Sequence, residues 1–491
     1  MTTPSSSCSP LPSVAGLPGL HRVLVANRGE IALRIVRACH AVGIQAVVAV
    51  SAADVDSQAA QLAGQQELIG PAPAGDSYLS IERLIEAARR SGCDAVHPGY
   101  GFLSERAAFA RACGDAGLIF VGPSPEAIEA MGDKISAAQL AQAANVPRVP
   151  GSGALVDVAA ALQAAAVIGY PVLVKASAGG GGRGMRIVSE PSQMPAAFAS
   201  ATNEAQAAFG DGRLYAEKLI ERARHVEIQV FGDRHGHIVH LGERECSTQR
   251  RHQKLIEESP SPAITPAQRA AMGDCAVTLA RQVGYYGAGT VEFVLDDEDG
   301  SFYFLEMNTR IQVEHPVTEM VTGIDLVAEQ LRVAAGLPLS FTQQDIVLSG
   351  HAIECRINAE DPDRNFLPRA GVVKRWTAPT GEGVRCDSHC HDGYTITPHY
   401  DSLLAKIIVH APTRTEAIAR MRSALTHLQV DGVATTAGLH HDMLGHQDFS
   451  AGSVTTRWVE ASFLPERKAG LKAKAAVGQT HSERHRGHEP A

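Results

Sequence analysis

The chain has 491 residues, 45% of them apolar and 20% charged, an ordinary globular composition with core enough for roughly two to four domains. A net charge of -9 argues against a nucleic-acid binder, and no run of about 18 apolar residues offers a membrane span. Nine cysteines, an odd number without a framework, point to reduced thiols and a cytoplasmic setting.

Residues 1–20 are rich in Ser and Pro and hold no charged residue. That fits neither a signal peptide nor an arginine-rich presequence and predicts a disordered extension. From His21 the pattern reads strand, turn, helix, strand: Val23-Leu-Val-Ala, the turn Asn27-Arg-Gly-Glu, a helix opened by Ile31, Leu33, Ile35 and Val36, then Ile44 to Val50. Strands alternating with helices predict a parallel sheet covered on both faces. One glycine in the first turn leaves the dinucleotide fingerprint absent, so NAD binding is not expected. His97-Pro-Gly-Tyr-Gly-Phe-Leu-Ser-Glu105 is a glycine-shaped loop expected at the sheet's carboxyl edge, where open sheets bind ligands.

After Met131-Gly-Asp-Lys134 and a helix, two prolines in Val146-Pro-Arg-Val-Pro-Gly151 predict an extended connector. Tyr170-Pro-Val-Leu-Val-Lys175 reads as a strand, the glycine run 179–184 as a loop, and Met185-Arg-Ile-Val as a returning strand. The context is a hairpin, so the loop is either a flap whose amides reach phosphate oxygens or a plain flexible turn. Leu214 to Ile220 is a further strand carrying Glu217 and Lys218. Arg224-His-Val-Glu-Ile-Gln-Val230 alternates, placing His225, Glu227 and Gln229 on one face. Such a face is expected to be wet rather than a site. Arg250, Arg251, His252 and Lys254 are expected to converge on a phosphate or carboxylate, with a solvated charge run as the alternative.

The chemistry concentrates in Glu306-Met-Asn-Thr-Arg-Ile-Gln-Val-Glu314-His-Pro, which follows the apolar strand Phe302-Tyr-Phe-Leu. Glu306 and Asn308 share a strand face and offer oxygen ligands to a hard cation such as magnesium. Arg310 and Glu314 lie just beyond, within reach of one small anion. Glu292, in the apolar run Gly289-Thr-Val-Glu-Phe-Val, needs a partner, and a metal is one candidate. The bland alternative is an exposed strand end with solvated charges. His351-Ala-Ile-Glu-Cys-Arg356 sends Glu354 and Arg356 to one face, and Thr413 to Leu428 reads as an amphipathic helix. Cys386, His389, Cys390 and His391 crowd four zinc-type ligands into six residues, although neighbours on a strand alternate faces and strain a closed site.

Taken in order, these segments resemble biotin carboxylase, an ATP-grasp enzyme. The likeness runs from about residue 21 to 462 and rests on Ala26-Asn-Arg-Gly-Glu-Ile-Ala, the 97–105 loop, Met131-Gly-Asp-Lys, the 179–184 loop, Arg250-Arg-His-Gln-Lys, the 306–315 segment and Glu354-Cys-Arg-Ile-Asn-Ala-Glu-Asp. The resemblance implies an α/β and α+β multidomain architecture: a doubly wound parallel-sheet domain at 21–134, a connector at 135–151, a mobile lid at 152–219, an ATP-grasp core at 220–350, a mixed α+β C-terminal domain at 351–462, and a disordered basic tail at 463–491.

The implied reaction is ATP-dependent activation of bicarbonate to carboxyphosphate, followed by carboxylation of biotin on a carrier protein. By resemblance, Lys134, Lys175 and the glycines Gly181, Gly182 and Gly184 hold ATP phosphates, while Glu217, Lys218, Ile220, His225, Gln249 and His252 contact adenosine or phosphate. Glu292, Glu306 and Asn308 hold two magnesium or manganese ions. Lys254, Arg310, Gln312 and Val313 hold bicarbonate, Glu314 is the general base, and Arg356 stabilises the biotin oxygen. Implied partners are a biotin carboxyl carrier protein, carboxyltransferase subunits and a second copy in a homodimer, in the setting of bacterial acetyl-CoA carboxylase or a related acyl-CoA carboxylase. Alternatives are another ATP-grasp carboxylate-amine ligase, or a non-catalytic paralogue.

Overall fold

The computed structural model describes residues 17–177 and 184–470. The first strands are β1 (Arg22–Val25), β2 (Gln45–Ser51), β3 (Gln66–Gly70), β4 (Ala95–His97) and β5 (Ile119–Phe120), all parallel, in the order β3-β2-β1-β4-β5. Their Val- and Ala-rich runs are buried because helices cover both faces, among them Gly29–Ala41. Strand order reverses direction between β1 and β4, and there the loops after both strands meet. Asn27 Nδ2 donates to the carbonyls of Pro98 and Tyr100, each at 2.7 Å. Gly99 makes this approach possible: at φ +61, a Cβ would lie 3.0 Å from Asn27 Nδ2.

The 152–219 segment holds a three-stranded antiparallel sheet, β7 (Arg186–Val188), β6 (Val172–Ala176) and β8 (Leu214–Lys218), backed by the helices Val158–Ile168 and Met194–Phe209. β6 and β7 form the expected hairpin. Its connecting glycines, Gly181 and Gly182 included, lie outside the described residues.

The remaining long strands are β9 (Ala223–Gly232), β10 (Ile238–Arg250), β11 (Gln253–Ser259), β12 (Gly287–Asp296), β13 (Phe302–Asn308) and β14 (His351–Asn358). With the strands Leu403–Ala411 and Val384–Ser388 they make one antiparallel sheet, ordered β13-β12-β9-β10-β11-β14 and then those two. This sheet runs through both the 220–350 and the 351–462 segments. One face buries Val226, Ile228, Val230, Val291 and Phe293 with residues of helix Pro266–Gln282. The other face carries His225, Glu227, Gln229, Thr290 and Glu292, all of them buried. The wet sheet face expected from the alternation is therefore a closed polar interior.

The described residues 17–20 and 463–470 are more ordered than the sequence suggests. Leu17 and Leu20 are buried against the first domain, within the segment expected to be disordered. At the other end the chain is helical to residue 470, where Arg467 pairs with Asp363 at 2.5 Å and Asp442 at 2.9 Å. Composition undersold these stretches because a few residues anchor them: Leu17 and Leu20 at one end, Phe463, Leu464 and Arg467 at the other. No helix among the described residues is long and apolar enough to cross a membrane.

Candidate active site

β10 and β11 are joined by a tight hairpin whose central residues, Arg251 (φ +48) and His252 (φ +62), are both left-handed, the geometry of a type I′ turn. The turn sets Gln249 opposite Lys254 in register. It also disperses the four cations expected to converge there. Arg250 stacks over the Phe366 ring at 4.0 Å and donates to Asn365, the backbone of Arg251 meets Glu460, and His252 is exposed at the tip. Alternation and the turn send each side chain a different way, and Lys254 alone enters the interior.

There Lys254 Nζ meets three carboxylates: Glu227 at 2.6 Å, Glu292 at 3.1 Å and Glu314 at 2.6 Å. Burial works against its charge, but these acids outweigh burial and hold its pKa well above the usual value. Glu314 offers its second oxygen to Arg356 Nη2 at 2.8 Å, and Arg356 Nε reaches Glu257 at 2.6 Å. Burial pushes the Glu314 carboxyl up, yet Lys254 and Arg356 prevail and bring it down to about 2. Burial dominates at Glu257, which rises to about 7.

Beneath these lies Arg244, fully buried, with Nε on Glu227 at 2.6 Å. Its other nitrogens reach Gln229 and Gln312, at 2.6 and 2.5 Å, and the hydroxyls of Thr290 and Thr318 at 3.0 Å each. Every donor direction of the planar fork used here has an acceptor, which fixes the floor of the site.

Further along the face, Glu292 and Glu306 stand opposite each other on β12 and β13, as do Thr290 and Asn308. Asn308 Nδ2 and Gln312 Nε2 donate to Glu292 Oε1 at 2.9 and 3.0 Å, and His225 Nε2 lies 3.2 Å from its other oxygen. Burial lowers the His225 pKa, but Glu292 overrides it and raises the imidazole to about 9. Glu306 faces Lys134 at 3.5 Å across a cleft of about 400 Å³ that Ser104, Glu105 and Thr309 also line. Lys175 pairs with Glu217 at 2.6 Å between β6 and β8, while Lys218 donates to the carbonyls of Gly169 and Tyr170. Ile220 follows β8, half-buried, and Gln249 Nε2 donates to the Cys246 carbonyl beside His225.

Arg310 donates to Glu105 at 3.0 Å and to Asn308 Oδ1 at 2.9 Å, so the 97–105 loop of the first domain reaches the site. Val313 points its carbonyl the other way, at Lys406. Sequence reasoning did not assign Arg244, Glu257 or Glu105. Glu105 stood in a quoted loop, while Arg244 and Glu257 had no visible signal. Among the described residues, the three-membered groups able to hold a metal are His225-Glu227-Glu292 and Glu227-Cys246-Glu314; the 386–391 cluster is not one. There the Cys390 thiol donates to the Leu404 carbonyl and His389 meets the Tyr394 hydroxyl.

Three family models match the chain in succession: the biotin carboxylase N-terminal domain over 19–128, the carbamoyl-phosphate synthase L chain ATP-binding domain over 133–342, and the biotin carboxylase C-terminal domain over 354–461. A biotin carboxylase of Haemophilus influenzae is 52% identical over 443 residues, covering 90% of this chain and 98% of the relative. The biotin carboxylase domain dimer of Hydrogenobacter thermophilus 2-oxoglutarate carboxylase, solved with magnesium ADP, ADP and bicarbonate, superposes with a TM-score of 0.86 at 50% identity, covering 90% of this chain and 97% of its own. A Campylobacter jejuni biotin carboxylase solved as a beta-gamma-ATP complex gives 0.87 at 46% identity, with 90% and 98% covered. With models matched along its length and relatives about half identical over nine-tenths of it, the chain belongs to the biotin carboxylase family of ATP-dependent, ATP-grasp enzymes.

Proposed function

We propose that the site carboxylates biotin on a carrier protein from bicarbonate and ATP, with the roles divided between its two sides. The observation that carries this reading is Glu314, whose two oxygens are held separately by Lys254 and Arg356. A base so placed adjoins an anion-holding cation on one side and a second fixed cation on the other.

Bicarbonate binds to Lys254 and Arg310, with Gln312 and the Val313 backbone beside it. Its charge competes for the Lys254 ammonium, loosening the pair that holds Glu314 at about 2 and restoring basicity where the proton must go. Glu314 takes that proton, the freed oxygen attacks the γ-phosphorus of ATP, and ADP leaves carboxyphosphate behind. The carboxyl carbon then bonds to the ureido nitrogen of biotin as its C–O bond to phosphate breaks; the departing phosphate takes the ureido N–H proton, with Arg356 steadying the negative ureido oxygen. Lys134, Lys175 and the glycine loop with Gly184 hold phosphates. Glu217, Lys218, Ile220, His225, Gln249 and His252 surround the nucleotide.

Glu292, Glu306 and Asn308 fit magnesium, being oxygen donors on one face of paired strands. Two such ions, magnesium or manganese, would offset charge on the transferring phosphoryl group. The reading extends to a biotin carboxyl carrier protein, carboxyltransferase subunits, a homodimer and a cytoplasmic setting, with acetyl-CoA as the leading final acceptor. The test is ADP release with bicarbonate and magnesium, with and without free biotin. Stimulation by biotin that vanishes without bicarbonate supports the reading; turnover indifferent to biotin overturns it.

A further inference from the structure

Lys406 is a fully buried lysine on the strand Leu403–Ala411, and the proposed reaction gives it no role of its own. Its ammonium donates to the Val313 carbonyl at 2.8 Å and pairs with Glu30 Oε1 at 3.0 Å, with Asp387 4.0 Å away. Glu30 is also buried, in the first turn of helix Gly29–Ala41, and its Oε1 accepts from the Tyr100 hydroxyl. One ammonium thus joins the C-terminal domain, the first domain and the segment that carries the base. Burial opposes its charge, and Glu30, Glu354 and Asp387 outweigh that, so it stays ionised.

The target is specific. The Val313 carbonyl belongs to the peptide bond whose nitrogen is that of Glu314, and a peptide unit is planar. Fixing that oxygen therefore fixes the plane from which the Glu314 side chain departs toward Lys254 and Arg356. A charged donor on a carbonyl is among the stronger hydrogen bonds, and inside a protein it is not shared with water.

We propose that Lys406 is a positioning residue for the base: held by Glu30 and Tyr100 of the first domain, it locks the Val313–Glu314 peptide so that Glu314 and the bicarbonate beside it stay aligned. This rests on the functional reading above.

The test compares the parent with Lys406→Met/Glu30→Gln, which removes both buried charges together and so leaves neither uncompensated. Near-ultraviolet circular dichroism checks folding, and ADP release gives KM for bicarbonate and for ATP. The expected result is a bicarbonate KM raised about tenfold and a larger share of ATP hydrolysed without biotin carboxylation, with the ATP KM little changed. A folded double variant with the parent's bicarbonate KM and coupling overturns the role of Lys406. If the double variant does not fold, Tyr100→Phe decides: a raised bicarbonate KM supports the proposal, and an unchanged one overturns it. A parent that releases no bicarbonate-dependent ADP overturns the functional reading itself, a result distinct from the others.

Discussion

Lys254 and Glu314, sixty residues apart in sequence, form a buried ion pair with Nζ 2.6 Å from Oε1. The pair is nearly sealed from solvent, so its partners rather than water set the charge on Glu314. On the proposed reading, a carboxylate held at about 2 is a poor base until another anion claims the ammonium, so bicarbonate itself would activate it.

Replacing Glu314 with Gln should lower turnover about 10²- to 10⁴-fold, the usual worth of general base catalysis, while leaving ATP affinity almost unchanged. Steady-state ADP release and nucleotide binding on the same preparation check this. Equal losses in both would speak against the base assignment.

Arg244 should prove structural in a different sense. Arg244→Met leaves Gln312 Oε1 and one oxygen of Glu227 without their buried donor, and stability should fall by about 3–5 kcal/mol, as for other broken buried pairs. Urea unfolding gives the number. Loss of activity with unchanged stability would be the contrary result.

Glu257 predicts a pH signature. Burial raises its carboxyl to about 7, above the unfolded value, so the folded state keeps its proton where the unfolded chain has lost it. The stability cost is absent below about 4.5, grows as pH rises toward 7, and is then constant. Glu257→Gln should flatten that part of the stability profile, which unfolding at a series of pH values will show. In the same variant Arg356 loses its second carboxylate, so biotin-dependent turnover should also lose any change near pH 7.

Gly184 stands at φ +70 just before β7, and a Cβ there would lie 2.8 Å from the Ala176 Cβ. Gly184→Val should cost about 1–2 kcal/mol from the left-handed backbone alone, with the clash added. The expected readouts are a lower melting temperature and a higher KM for ATP.

The cluster Cys386-Asp-Ser-His-Cys-His391 should bind no zinc. Its ligands are turned to different partners, and burial pushes the Cys386 and Cys390 thiols up to about 12, away from the thiolate that zinc requires. Elemental analysis finding about one zinc per chain, lost in a Cys386→Ala/Cys390→Ala variant, would be the opposite outcome.

Much of this was open to a reader of the sequence alone. The alternation in β9, the hairpin either side of the glycine loop and the helix after Thr413 follow from local periodicity and turn chemistry, which are properties of neighbouring residues. Motifs in order along the chain were enough to place it in its family and to name Lys254, Arg310, Glu314 and Arg356. Only the tertiary structure decided that the His225-Glu227-Gln229 face is dry, since alternation marks two faces without saying what covers either. It alone brought Glu105, Arg244, Glu257 and Lys406 to the site, because the strand order β13-β12-β9-β10-β11-β14 is set by packing between segments far apart in sequence. The charge states came last, for a carboxyl's affinity for its proton depends on burial and on the groups beside it, and neither exists until the sheet has closed.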